Sequence, residues 1–220
     1  MDMADVEQTQ WRWRAVVCYW PALLVLAPVN AALIVAAARL PYFPGDVEFA
    51  RLVQSAAPLP ASAAQWITTT ADMPWCFALL ALAFLSAGLI SGWRAAAVSV
   101  VVFFGLWLFG VWLSPIAAQP RPSPQLIRVV GHPKGYAFPS IFGLVYVATF
   151  GYLGVLAATR RTGAPRLIVA GAAALIMLVG AVARIDLGAH WPSDLWVAYL
   201  IGLFWILLLL PFAKTPPAND

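Results

Sequence analysis

Six apolar runs, each near the length needed to cross a bilayer, leave this chain few ways to fold. They lie at about 16–38, 75–91, 95–113, 141–158, 167–182 and 195–212. A hydrocarbon core of ~30 Å takes about 20 helical residues, and backbone N–H and C=O groups inside it find no water, so each run must satisfy them as a helix. The expected fold is all-α: a polytopic membrane protein of about six transmembrane helices in one bundle. It forms a single domain over 16–212, with a cytoplasmic N-terminal segment at 1–15 and a cytoplasmic tail at 213–220. Composition agrees. The 220 residues are 63% hydrophobic and 10% charged, against about 25% charged in soluble domains.

The connecting segments set further expectations. Trp11-Arg12-Trp13-Arg14 suits an interfacial anchor before the first span, which exceeds a signal-peptide core of roughly 7–15 residues and is therefore retained. Pro21 or Pro28 is expected to kink it. The stretch 41–74 mixes prolines, Asp46, Glu48, Arg51 and Asp72 and reads as an external loop carrying a short surface helix around 47–56. Cys18 and Cys76 lie inside apolar runs, so they are packing residues and imply no disulfide framework or metal cluster. The net charge of +4 follows from Arg flanking the spans, and no nucleic-acid motif accompanies it. With both termini inside, seven of the 13 Lys and Arg fall on inner segments and six on outer ones. Arg160-Arg161 is the strongest inside signal.

Against this apolar background one polar island stands out: Arg184, Asp186, His190 and Asp194 within eleven residues between the last two runs. Unpaired charge in hydrocarbon costs several kcal/mol, so these side chains must face water, a ligand or each other. His190 and Asp194 are four apart, which lets the carboxylate accept from one imidazole nitrogen and leave the other free as base or nucleophile. Arg184 offers a planar fork for an oxyanion. Asp194 also suits the first turn of a helix opened by Pro192, with no catalytic duty.

A second island emerges between the third and fourth runs, on the same side of the membrane as the first. It holds Arg121, Arg128, His132, Lys134 and Ser140. Both histidines of the chain thus lie in the two islands. Phosphate is the ligand that three cations, joined by Arg184 and His190, would suit best. Ser140 precedes an apolar helix, where its hydroxyl caps the end and the free N–H groups can hold an anion. Plain N-capping for Ser140, and an ordinary wet loop for the cations, remain alternative readings.

These residues resemble the type 2 phosphatidic acid phosphatase family, membrane lipid phosphate phosphatases related to vanadium haloperoxidases. The family's third motif, S-R-x-x-x-x-x-H-x-x-x-D, is matched by Arg184, His190 and Asp194 at the same spacing, with Ala183 in place of Ser. Its first, K-x-x-x-x-x-x-R-P, is matched at Arg121-Pro122, with Ser114 at the Lys position. Its second, P-S-G-H, is matched at Pro139-Ser140, with Ile141-Phe142 in place of Gly-His.

The resemblance implies extracytoplasmic active-site loops and hydrolysis of a lipid phosphate or diphosphate of the phosphatidic acid, phosphatidylglycerol phosphate or isoprenyl diphosphate type. It implies His190 as the nucleophile that becomes a phosphohistidine, Asp194 as its orienter, and Arg121, Ser140 and Arg184 as phosphate ligands. No cofactor and no metal is implied; the partners are a membrane lipid and phosphate, without nucleic acid. The missing His is the family's general acid, a group worth roughly 100- to 10,000-fold. His132 is a candidate substitute acid, and Lys134 a candidate phosphate contact. The alternative is a catalytically impaired relative that binds a phospholipid head group or a membrane partner.

Overall fold

A computed structural model describes residues 3–56, 58–160 and 162–213, with side chains from Tyr19 onward. The side chains of the Trp11–Arg14 anchor and Cys18, and Arg161 and the tail from Lys214, lie outside the described residues. The chain begins with α1 (Met3–Ala37), whose apolar part is Tyr19–Ala37. The helix starts well before residue 16 and runs through both Pro21 and Pro28.

Two short helices follow, α2 (Asp46–Ala56) and α3 (Ala61–Thr69). The sequence suggested one. Then come α4 (Trp75–Ser91), α5 (Trp93–Ala117), α6 (Ile141–Arg160), α7 (Gly163–Asp186) and α8 (Pro192–Leu209) with its 3-10 extension to Ala213. Five of these are long and apolar enough to span a membrane, and the 17-residue α4 is a shorter sixth. The expected all-helical membrane bundle is thereby found, with ends shifted by a few residues.

The helix α6 is the axis of the bundle. Of its most apolar stretch 67% is buried, against 11% for α1 and 28% for α7. Among lipid tails helices gain little by hiding apolar surface, so close packing holds them together and small residues mark the contacts. Gly180 of α7 meets α6 so closely that a Cβ there would lie 2.6 Å from Tyr146 Cε1, and Gly202 of α8 leaves no room for one against Val147. At that contact α6 widens into one π turn, Val147–Gly151, where Thr149 Oγ1 donates back to Val145 O at 2.8 Å.

The helices α4 and α5 reverse direction across one residue. Gly92 sits at φ +84°, a conformation open to glycine at little cost. This antiparallel arrangement puts the C-terminus of α5, the N-terminus of α6, the C-terminus of α7 and the N-terminus of α8 at one end of the bundle. Both polar islands are therefore at that end.

Candidate active site

His190 stands in the turn between α7 and α8, 2% exposed. Its Nε2 lies 3.1 Å from Arg121 NH1. A guanidinium can only donate, so Nε2 must be the accepting nitrogen and the ring proton must sit on Nδ1. Nδ1 in turn faces Asp194 Oδ2 at 3.4 Å, a separation that tightens readily on binding. The tautomer leaves the lone pair on Nε2, directed at Arg121. Burial pushes the His190 pKa below the ordinary imidazole value, and the positive charges of Arg184 and Arg121 add to this. The Ala137 carbonyl acts the other way. The ring is a neutral base at neutral pH.

Asp194 caps a helix and also faces the imidazole. It is the third residue of α8, and its Oδ2 accepts from Trp191 N at 2.8 Å while its own N–H donates to Trp191 O at 3.1 Å. Its other oxygen, Oδ1, is buried and has no hydrogen-bond partner. One carboxylate therefore caps the helix and faces the imidazole.

Arg121 is fixed by carbonyls. Nε donates to Lys134 O at 3.1 Å and NH1 to Ala189 O at 2.5 Å, so the loop 118–140 and the turn after α7 close on one guanidinium. Burial lowers its pKa from the usual arginine value, opposed by the charge of Asp194. Arg184, in the last turn of α7, is near enough for its charge to act on His190. Its guanidinium lies 5.3 Å over the Phe142 ring, and its Nε is buried without a partner. A buried guanidinium N–H with no acceptor in the protein is a donor ready for an anion. Ser140 is fully buried and caps α6, accepting from Gly143 N at 3.2 Å.

The other two predicted residues sit differently. Lys134 brings its backbone carbonyl to Arg121, while its ammonium side chain is exposed. His132 is exposed on the same loop. Arg128 forms an ion pair with Asp186 at 2.5 Å instead of pointing at the imidazole.

Sequence reasoning missed the contribution of α2. Asp46, 4% exposed, accepts Ser193 N at 2.9 Å and Ser193 Oγ at 2.6 Å, and also Phe43 N at 2.8 Å. It thereby supplies the first turn of α8, the turn that carries Asp194, with a partner from 147 residues away. Gln54 clamps the other side, donating to Arg128 O at 2.8 Å and to Asp186 O at 3.2 Å. The available signal was the cost of an acid in so apolar a chain. Phe142 was noticed only as a departure from a motif, yet it is the ring on which Arg184 rests. Among the described residues no group of three His, Cys, Asp or Glu side chains converges as metal ligands do.

Residues 110–216 match the sequence model of the PAP2 superfamily. No curated protein sequence matches the chain at a significant level. The fold is similar to that in the crystal structure of the first transmembrane PAP2 type phosphatidylglycerolphosphate phosphatase from Bacillus subtilis. The TM-score is 0.67, with 90% of this chain and 98% of that one covered, at 16% identity. The matched stretch contains Arg121, Ser140, Arg184, His190 and Asp194, and the likeness of fold extends beyond it to nearly the whole chain. The chain is a multi-pass membrane protein that over residues 110–216 is similar to the PAP2 superfamily.

Proposed function

We propose that this protein is an integral membrane phosphatase that removes phosphate from a lipid phosphate or diphosphate through a phosphohistidine on His190. The observation that carries the reading is the arrangement on the two sides of one imidazole: Arg121 NH1 3.1 Å from Nε2 and Asp194 Oδ2 3.4 Å from Nδ1. Nucleophile, orienter and cation are in line. A phosphoryl group carried to Nε2 would draw Arg121 onto its oxygens and release the lone pair for attack on phosphorus. Arg184, with its unpaired Nε, and the N-terminus of α6 behind Ser140 complete the cradle. Guanidinium groups fixed in place stabilise the charge spread over the equatorial oxygens of a phosphoryl transition state. Asp194 keeps the proton on Nδ1 and stabilises the positive charge that develops on the ring. Water then attacks the phosphohistidine and frees the imidazole.

The site at one end of the spans supports a substrate whose apolar tail stays in the bilayer. It lies, in this reading, on the extracytoplasmic side of the cytoplasmic membrane, with both termini cytoplasmic. Purified protein should release inorganic phosphate from phosphatidic acid, phosphatidylglycerol phosphate or an isoprenyl diphosphate in mixed micelles, and His190→Ala should abolish the release. One observation favours a second reading, a head-group binder: Phe142 places an apolar ring beside Arg184 where an acid would be useful. Tight binding of such lipids with no release of phosphate under any condition would select it.

A further inference from the structure

The site has a nucleophile and an anion cradle, yet among the buried titratable groups described, Asp46, Asp186, His190 and Asp194, none besides the nucleophile itself is placed on its Nε2 side to protonate a departing oxygen. Arg121 and Arg184 donate hydrogen bonds but do not surrender protons. Asp194 faces Nδ1, on the side of the ring away from the attacking Nε2, while Asp46 is held by Ser193 and Asp186 by Arg128. The Tyr146 hydroxyl is engaged with Thr70 Oγ1 at 2.8 Å and Ile67 O at 3.2 Å. His132 is exposed on its loop. The place next to Arg184 is filled by the Phe142 ring.

Resting on the phosphatase reading above, we infer that the substrate class is a lipid diphosphate cleaved at its terminal phosphoanhydride, in preference to a lipid phosphate monoester. The leaving group decides this. When a monoester is cleaved, the electron pair of the breaking P–O bond goes to an alkoxide, whose conjugate acid is about as weak an acid as water. Departure then needs a proton in the transition state.

When a diphosphate is cleaved, His190 Nε2 bonds to the terminal phosphorus and the electron pair goes to the bridging oxygen. The product is a lipid monophosphate, whose second pKa is about 6. It leaves at neutral pH without a proton. Water then bonds to phosphorus as the N–P bond breaks, the pair returns to Nε2, and the water's protons go to the released phosphate and to solvent.

The test is the rate of phosphate release by the purified full chain from farnesyl diphosphate and from farnesyl monophosphate in detergent micelles. General acid catalysis contributes roughly 100- to 10,000-fold, so kcat/KM should favour the diphosphate by about 100-fold or more, and release should stop at one phosphate per molecule. Among monoesters, nitrophenyl phosphate, with its good leaving group, should outrun an alkyl phosphate by a comparable factor. Phe142→His should raise the monoester-to-diphosphate ratio at least about tenfold. If that variant does not fold, the leaving-group series on the wild-type chain decides the matter by itself. Equal rates on the two farnesyl substrates, or monoester turnover that His132→Ala removes, would overturn the inference and leave the phosphatase reading standing. Hydrolysis of none of these compounds would overturn both.

Discussion

Replacing Asp46 by Ala isolates how a residue distant in sequence holds in place the helix that carries Asp194. The carboxylate takes three donors, Ser193 N, Ser193 Oγ and Phe43 N, at 2.6–2.9 Å, in a position 4% exposed. Hydrogen bonds to a charged group contribute about 1.5–3 kcal/mol each, and a buried donor left without a partner costs a similar amount. The low end for all three gives roughly 4–5 kcal/mol, of which water entering from the α2 side would restore a part. A net loss of about 2–4 kcal/mol is expected.

The first turn of α8 also positions Asp194, and a displacement of ~1 Å at a reacting group can cost about 100-fold. Asp46→Ala should thus lower both the unfolding midpoint and kcat, with KM changed far less. Asp46→Asn keeps an acceptor for Ser193 N and should recover a good part of both. Thermal unfolding in detergent can be followed by the reaction of a maleimide dye with the buried thiol of Cys76, alongside phosphate release per folded protein. An Asp46→Ala protein with unchanged midpoint and unchanged kcat would refute the argument.

Three further outcomes are expected. Arg121→Lys replaces a fork held by two carbonyls with a point charge, and phosphate release should fall roughly 10- to 100-fold; an equally active variant would show that the fork is dispensable. Because burial and two arginines lower the His190 pKa, the neutral nucleophile persists below pH 6.5. The acid limb of kcat/KM should therefore lie under 6.5, and a limb at or above that value would contradict the geometry. The same sign governs stability: the unfolded chain takes up a proton near 6.5 and the folded site does not, so the contribution of His190 to stability is lost as pH falls below 6.5. Gly202→Val forces a side chain into Val147 and should destabilise the bundle by roughly 1–3 kcal/mol, seen as a lower unfolding midpoint with KM unaffected in the surviving folded protein.

The membrane bundle was legible in the sequence because hydrocarbon imposes it: runs of apolar residues near 20 long have one way to satisfy their backbone. Trp75–Ser91 was found to the residue, since Pro74 and Gly92 punctuate it. Helix ends inside continuous apolar sequence, as at Ala117 of α5, carried no such mark and were missed by a few residues. The dyad of His190 and Asp194 was visible because both ends fall within one local segment, where spacing fixes geometry. Arg121 could be assigned to the same side, but its contact with His190 depends on loop 118–140 folding back on the α7–α8 turn, which no local pattern encodes. The clamp from α2 was invisible for the same reason. Asp46 and Ser193 are 147 residues apart, and either residue alone reads as an ordinary helix-start side chain. Phe142 was legible only as a break in a motif. Its physical role, supporting a guanidinium by a cation–π contact, required coordinates.

The central claim is that the phosphoryl group passes through a covalent bond to His190 Nε2. Rapid mixing with a substrate labelled in its terminal phosphate, followed by quenching in alkali and peptide mapping, tests it directly. The account predicts an alkali-stable, acid-labile label on His190 that forms within the first turnover and is absent from His190→Ala. Steady release of phosphate with no label on His190, or with the label on any other residue, would contradict it.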